Sequence, residues 1–314
     1  MPKTQPKTGY GLKDSPFYRM ASRAKLAKLL RVSPERLATM ASREDLYLRR
    51  WKHKKLDHWL KEQPGPDVSD QYRPIDIPDP TLKALQARIA DLLSRIEPPD
   101  FLFSPVKGRS YVENAARHVD GTAYWLLDVA DYFPSCTANN VARFFHRDLQ
   151  CSPDVTAVLV HITTLNGCLP QGSPCSPALA YYSYRHMWLA VAKLVREGGC
   201  TLSLYADDIT ISGPVVRKAL IWEIKKLIHK NGLRLKVSKE VSLIHSPADI
   251  TGVIVKDGKT HLPNRQLKRL AELKQERARA TNPKLRARLD HQLAGRIAQR
   301  HQVENPKVGG APKG

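Results

Sequence analysis

Apolar residues recur along this chain with two different periods, and the alternation between them predicts a mixed fold. From Ser15 to Leu60 the spacing is helical, and Ser33-Pro34-Glu35 marks a helix start: a capping hydroxyl, a proline in the first turn, then an acid near the positive helix end. Residues 61–74, KEQPGPDVSDQYRP, form a breaker-rich connector. Leu82, Leu85, Ile89, Leu92 and Leu93 give an amphipathic helix over 81–96, stopped by Glu-Pro-Pro-Asp. Residues 122–133 read as an apolar strand ending in acids, 152–165 as a helix opening at Ser-Pro, and 176–195 as one long buried helix ended by Gly-Gly-Cys. Leu202, Leu204, Ile209 and Ile211 alternate as two short strands do, with Tyr205-Ala206-Asp207-Asp208 as the turn between them. A helix over 217–232 with a glycine stop follows, then strand-like LRLKVS and DITGVIV. Beyond Pro263, Leu267, Leu270 and Leu273, then Leu285, Leu289, Leu293 and Ile297, keep helical spacing with Arg and Lys on the other faces. Residues 1–16 are polar and expected to be poorly ordered. The pattern predicts a central α+β body with helical arms and no internal repeat.

Charge changes that picture. The 314 residues carry 51 Lys and Arg against 30 Asp and Glu, a formal net charge of +21. Residues 1–60 hold 15 basic and 5 acidic side chains, and residues 263–314 hold 13 and 4, which leaves 23 and 21 for the centre. Two basic arms around a balanced body are the footprint of a polyanion binder, and nucleic acid fits better than a membrane surface. No run reaches membrane-span length, and the N-terminus lacks the apolar core of a signal peptide. Five irregularly spaced cysteines without a C-x-x-C pair argue against a disulfide framework or a zinc site. Reduced thiols and a cytoplasmic location are the expectation.

Candidate chemistry starts with adjacent carboxylates in a turn. Asp suits turns, so Asp207-Asp208 alone is read most simply as an acidic turn. Asp128 ends the apolar run Tyr-Trp-Leu-Leu-Asp, with Asp131 three residues on, and a buried strand ending in an unpartnered acid is costly. If that strand lies beside the hairpin, Asp128 faces Asp207 and Asp208. Three converging carboxylates repel unless cations neutralise them, and hard Mg²⁺ suits oxygen ligands better than zinc does. Two such ions would activate a hydroxyl and steady a leaving diphosphate, which is nucleotidyl transfer. Between these elements lies LPQGSPCSP (169–177), a loop in which Gly172 permits close approach of a substrate and Gln171 offers a contact to a nucleotide.

LDVADYFPS (127–135), LPQGSPCSPALA (169–180) and YADD (205–208), in this order and at these separations, resemble the A, B and C motifs of reverse transcriptases. Residues 72–86 resemble the fingers segment of bacterial members. Asn-Ala-Ala-Arg-His (114–118) is similar to the N-A-x-x-H signature of retron reverse transcriptases, and Ile-Thr-Gly (250–252) to their V-T-G triplet, with Ile250 in place of Val. The resemblance covers roughly residues 65–262.

It implies a right-hand polymerase: a basic helical N-terminal extension (1–62), fingers (63–124), a ferredoxin-like palm (125–262), a small basic helical thumb (263–303) and a flexible tail (304–314). Asp128, Asp207 and Asp208 would ligate two Mg²⁺ ions, with the Val129 carbonyl as a further ligand. Asp131 and Tyr132 would offer amides to the triphosphate, Phe133 would crowd a ribose 2′-OH, Arg73 would grip phosphates and Gln171 would line the nucleotide pocket. Lys239 is the candidate proton donor to pyrophosphate. Asn114, His118, Thr251 and Gly252 are tied to recognition of a structured RNA, and Arg286 and Arg288 to the template–primer duplex. Further implied are a cognate noncoding RNA, copied in part into single-stranded DNA joined to it through a guanosine 2′-OH, dNTP substrates, and an accessory effector in anti-phage defence, with no membrane partner. With no DNA-binding or endonuclease segment in these 314 residues, a group II intron type is the weaker alternative, as is a template-free defence polymerase. A catalytically silent RNA-binding scaffold is another, against which the acidic triad speaks.

Overall fold

Capping side chains set many element boundaries. The Ser33 hydroxyl accepts from the Arg36 amide (3.2 Å), Asp79 from Thr81 (2.8 Å), and Asn282 from Lys284 (2.9 Å), each ahead of a proline at the helix start. Ser110 and Glu113 close a reciprocal capping box. The computed structural model describes residues 9–306. Its first helices are α1 (Arg23–Leu30), α2 (Pro34–Ser42), α3 (Pro80–Leu93), α4 (Tyr111–Ala116), α5 (Tyr132–Ser135) and α6 (Ala138–Arg143). Then come α7 (Pro153–Thr163), α8 (Ser176–Tyr182), α9 (Arg185–Glu197), α10 (Lys218–Lys230), α11 (Asn264–Arg279) and α12 (Pro283–Glu304). The early strands are β1 (Tyr47–His53), β2 (Trp59–Leu60), β3 (Tyr72–Pro78), β4 (Leu102–Ser104) and β5 (Ala123–Asp128). The later ones are β6 (Thr201–Tyr205), β7 (Asp208–Gly213), β8 (Val241–Ile244), β9 (Ala248–Ile250), β10 (Val253–Lys256) and β11 (Lys259–His261).

The chain forms two compact units and crosses between them several times. The first gathers the residues up to Pro99 with Ala130–Trp188 and Asn231–Arg234. Its sheet runs β2-β1-β3, all antiparallel, with Tyr47 opposite Pro78 and His53 opposite Tyr72. Its core holds Phe17, Leu26, Leu82, Ile89 and Leu159, each fully buried. Phe145 meets Phe17 edge-to-face at 6.1 Å, and Phe144 stacks on Tyr182 at 5.1 Å. The buried Gln86 amide donates to the Tyr47 hydroxyl (2.6 Å) and the Ile162 carbonyl (2.9 Å), joining α3 to β1 and α7.

The second unit gathers Asp100–Val129, Leu189–Lys230 and the residues from Leu235 on. Its five-stranded sheet has the order β4-β6-β7-β5-β8, antiparallel except for β4 beside β6. A smaller sheet, β11-β10-β9, shares a core with α4 and the end of α12 through Val112, Ala115, Tyr124, Ile250, Val253 and Val303. Burying Val303 in this cluster holds the end of α12 against the small sheet. The Thr260 hydroxyl donates to the Val303 carbonyl (2.5 Å) and the Gln299 amide to the Tyr111 hydroxyl (3.1 Å), fixing the direction of α12.

Several expectations are corrected. Residues 1–8 and 307–314 lie outside the described residues, but residues 9–16 are pinned: Tyr10 bridges to Ile96, and Leu12–Asp14 form a helical turn. Residues 47–60 are strands, not helix. β1 pairs with β3, from Tyr47 opposite Pro78 to His53 opposite Tyr72, and β2 pairs with β1; no local spacing reveals such partners, and Pro74 and Pro78 confine β3 to the edge. The long helix over 176–195 is two helices broken at Ser183-Tyr184. The freed Ser183 carbonyl accepts from the Arg143 guanidinium (3.0 Å), so the backbone acceptor released by the break is paired, whereas the buried Ser183 hydroxyl has no partner. The strand expected at LRLKVS is a single bridge from Leu235 to Val129 followed by a helical turn, and the strand proper begins at Val241. The apolar stripe of the C-terminal helices is only partly covered: Leu270, Leu273 and Leu289 are buried, whereas Leu285 and Ile297 are about half exposed.

Candidate active site

The carboxylates come together through strand register. Asp128 is the last residue of β5 and stands directly opposite Asp208, the first residue of β7. Asp207 precedes it in the β6–β7 turn, and its carbonyl accepts from the Val129 amide (3.0 Å), which locks the β5 end to the turn. Ala206 in this turn holds a φ of 55°, a left-handed conformation costly to a residue with a side chain, and Asp131 (φ 45°) repeats it just past β5. Asp128 is buried, and the two turn acids are half-buried.

Electrostatics follow from this crowding. Burial raises Asp207 above the usual carboxylate range, and Asp128 adds to it. Burial pushes Asp208 up to about 6, with repulsion from Asp207 and Asp128 contributing. Lys239 answers this charge: its ammonium donates to Asp128 Oδ2, and that hydrogen bond raises the lysine above its ordinary value. Lys236 supplies further positive potential at Asp207, and its amide donates to the Asp128 carbonyl (2.8 Å). Sequence reasoning named Lys239 and missed Lys236; the signal was there in the Lys-x-x-Lys spacing of LKVSK. Among the described residues no three His, Cys, Asp or Glu side chains are gathered tightly enough to grip one ion. The reason lies in the same geometry: two acids repel, and the third is turned onto Lys239. The donor set, all hard carboxylate oxygens, fits a divalent cation.

Asn114 and His118 are buried. His118 is buried, its Nδ1 paired with the Ser212 hydroxyl (2.7 Å) and its Nε2 with Ser203 (2.8 Å), which pins α4 to β6 and β7. Desolvation lowers its pKa to about 3, so the ring is neutral. Buried Asn114 donates to the Thr251 hydroxyl (3.3 Å), and that hydroxyl donates to the Tyr111 carbonyl (3.1 Å). The Asn114–Thr251 bond makes an internal clamp joining the two signature motifs. Thr251 (φ 51°) and Gly252 (φ 84°) form the half-exposed turn from β9 to β10 that this clamp supports. Arg286 and Arg288 lie exposed on α12.

The remaining candidates belong to the first unit. Arg73 is exposed on β3, opposite Lys52 of β1. The Gln171 carbonyl accepts from the Asp76 amide (2.8 Å), which fastens the 169–177 loop to the same strand. Gly172 (φ 137°) lies so close to β3 that a Cβ would sit 2.5 Å from the Asp76 carbonyl oxygen. The close approach expected there for a substrate is therefore made by the protein's own strand. Asp131 begins α5 with its side chain exposed; Tyr132 is buried and Phe133 half-buried, their rings 5.8 Å apart.

Residues 59–255 match the model of the reverse transcriptase (RNA-dependent DNA polymerase) family, well over half of the chain, and the chain belongs to that family. Within it the chain is similar to retron enzymes. It is 31% identical over 199 residues to the Retron Se72 reverse transcriptase of Salmonella heidelberg (strain 579083-10), covering 59% of this chain and 52% of that one. It is 27% identical over 249 residues to the Retron Ec86 reverse transcriptase of Escherichia coli, covering 78% and 74%. The chain thus spans about half the length of the first relative and about three-quarters of the second. Among solved structures, a foamy viral protease–reverse transcriptase in complex with double-stranded DNA aligns at a TM-score of 0.41 and 17% identity, over 75% of this chain and 34% of that one.

Proposed function

We propose that this protein is a retron reverse transcriptase, an RNA-directed DNA polymerase that copies part of a cognate structured RNA into single-stranded DNA joined to it through a 2′-OH. The observation that carries the reading is the register that sets Asp128 opposite Asp208 with Asp207 in the adjoining turn. Divalent cations held there, two Mg²⁺ in this reading, would activate the attacking hydroxyl and stabilise the departing diphosphate. Asp128, Asp207 and Asp208 would hold them, with the Val129 carbonyl. Lys239, which pairs with Asp128, would give a proton to the leaving group. Arg73 would bind the triphosphate, Gln171 the base or sugar, Asp131 and Tyr132 the phosphates through their amides, and Phe133 would exclude a ribose 2′-OH. In this reading residues 63–124 are fingers, 125–262 palm and 263–303 thumb.

RNA and DNA are the partners that family membership implies. The cognate noncoding RNA, dNTP substrates, an accessory effector and a part in anti-phage defence belong to the proposal. So does a cytoplasmic setting, which the free cysteines support. Among the described residues no helix is long and apolar enough to cross a membrane.

The test is Asp207→Ala and, separately, Asp128→Ala in an assay that scores DNA synthesis on the co-expressed RNA beside RNA retention on the protein. Both variants should lose DNA synthesis by several orders of magnitude and keep RNA binding, because the phosphate contacts lie on other surfaces. Normal DNA yield from either variant would overturn the assignment.

A further inference from the structure

A groove of about 940 Å³ runs along α7 on the first unit, beside α6 and the π-helical turn Phe144–Asp148 that continues it. It lies outside the carboxylate site, and none of the residues assigned above lines it. Thr156, Ala157, Val160 and His161 line it at the i, i+1, i+4, i+5 positions of one face of α7. That face is flanked by Pro153 and Thr164, so the groove follows the whole helix, about 16 Å at 1.5 Å per residue. Ala142, Arg143, His146 and Arg147 form the opposite wall. A long trough between two helix faces, floored by small and aliphatic side chains, has the shape that accepts a third helix.

Its chemistry selects the helix. No Asp or Glu lines the groove, while two arginines and two histidines do. Arg143 is held by the Ser183 carbonyl (3.0 Å), and each histidine donates one ring N–H to a carbonyl, His146 to Cys151 (2.9 Å) and His161 to Arg43 (2.9 Å). These groups are braced before anything arrives. Arg147 is exposed and makes no ion pair among the described residues. Thr156 is 7% exposed and its hydroxyl has no partner, a buried donor left open on the groove floor. No Phe, Tyr or Trp, the broad platforms that single-stranded nucleic acid stacks on, lines the groove, and both histidine rings are held by carbonyls. Residues 1–8 and 307–314 contain lysines and no acid, so neither end of this chain complements the groove. We propose that this groove docks an acidic amphipathic helix of a second protein, its apolar face against Ala157 and Val160 and its carboxylates on Arg143 and Arg147.

A displayed library of single-helix peptides selected on the full-length protein tests this, with counter-selection on Ala157→Trp, which fills the floor. Because Ala157→Trp could disturb folding, exposed Arg147→Glu is carried in parallel and both variants are checked by thermal melting. The expected winners are net acidic with apolar residues at i, i+3, i+4 and i+7, and Arg147→Glu should weaken their binding about tenfold or more. Winners without acidic bias, or none that distinguish wild type from the two variants, would overturn the proposal. A single-stranded RNA probe that binds wild type and is lost equally in both variants would overturn it too, making the groove an RNA surface. DNA synthesis is scored separately, so failure here and failure of the polymerase reading are distinguishable.

Discussion

At the residue scale, His118 is a motif position whose side chain is consumed inside the fold. Both ring nitrogens are consumed by serines of β6 and β7, and the neutral ring is held down to about pH 3 by burial. The folded-state pKa lies below the free value of 6.5, so only the unfolded chain takes up this proton in between. Its contribution to stability is fully present above about 6.5 and is lost as the pH falls toward 3. Wild type should lose up to about 1.4 kcal/mol per pH unit more than His118→Gln across that window. Urea melts at stepped pH compare the slopes, and parallel slopes would show that the proton is not linked to folding. The carboxylates pose the opposite case. Their burial and mutual repulsion raise Asp207 and Asp208 and disfavour their charged forms.

At the element scale, the 169–177 loop and β3 form one structural piece. Gly172→Ala must adopt φ 137° and force a methyl into the Asp76 carbonyl. It should cost on the order of 1–3 kcal/mol of stability. Gly258→Ala, whose φ is also positive but whose Cβ would meet open space, should cost less, about 1 kcal/mol. Equal losses in a denaturant titration would mean that the strand contact contributes nothing. Sequence reading saw the loop and its glycine but assigned the close approach to a substrate. The partner strand lies nearly a hundred residues earlier, which local pattern cannot show. The clamp between Asn114 and Thr251 is similar: each half was recognisable as a family signature, and their contact was not.

At the scale of the whole molecule, charge is the dominant property. A net +21, concentrated toward the two ends of the sequence, makes polyanion binding strongly salt-dependent. Arg286 and Arg288 are exposed on a helix whose end is anchored by Val303, so their side chains are free to meet phosphate. Reversing both to Glu should weaken binding to an RNA–DNA duplex and flatten the log–log salt slope by about 0.7–0.9 per lost contact. Product length should shorten while single-nucleotide addition to a preformed primer stays near wild type. Titrations at several salt concentrations beside a product-length assay decide it. An unchanged slope with full-length DNA would place the duplex elsewhere.

The sequence by itself determined the elements whose signals are local. The helix start at Ser33 follows from its cap and proline, the two strands around Asp207 from alternation, and the expectation of a polyanion partner from charge; the family followed from three short motifs. Tertiary structure alone decided what depends on distant partners. It made β1 and β2 a sheet by pairing β1 with β3, split the 176–195 helix with an arginine from another element, and buried Asn114 and His118. Above all it brought Asp128 to Asp208, eighty residues apart in the chain. A hydrophobic period tells which face of a segment is buried, but not against what, and the carboxylates meet only because two strands chose each other's edge.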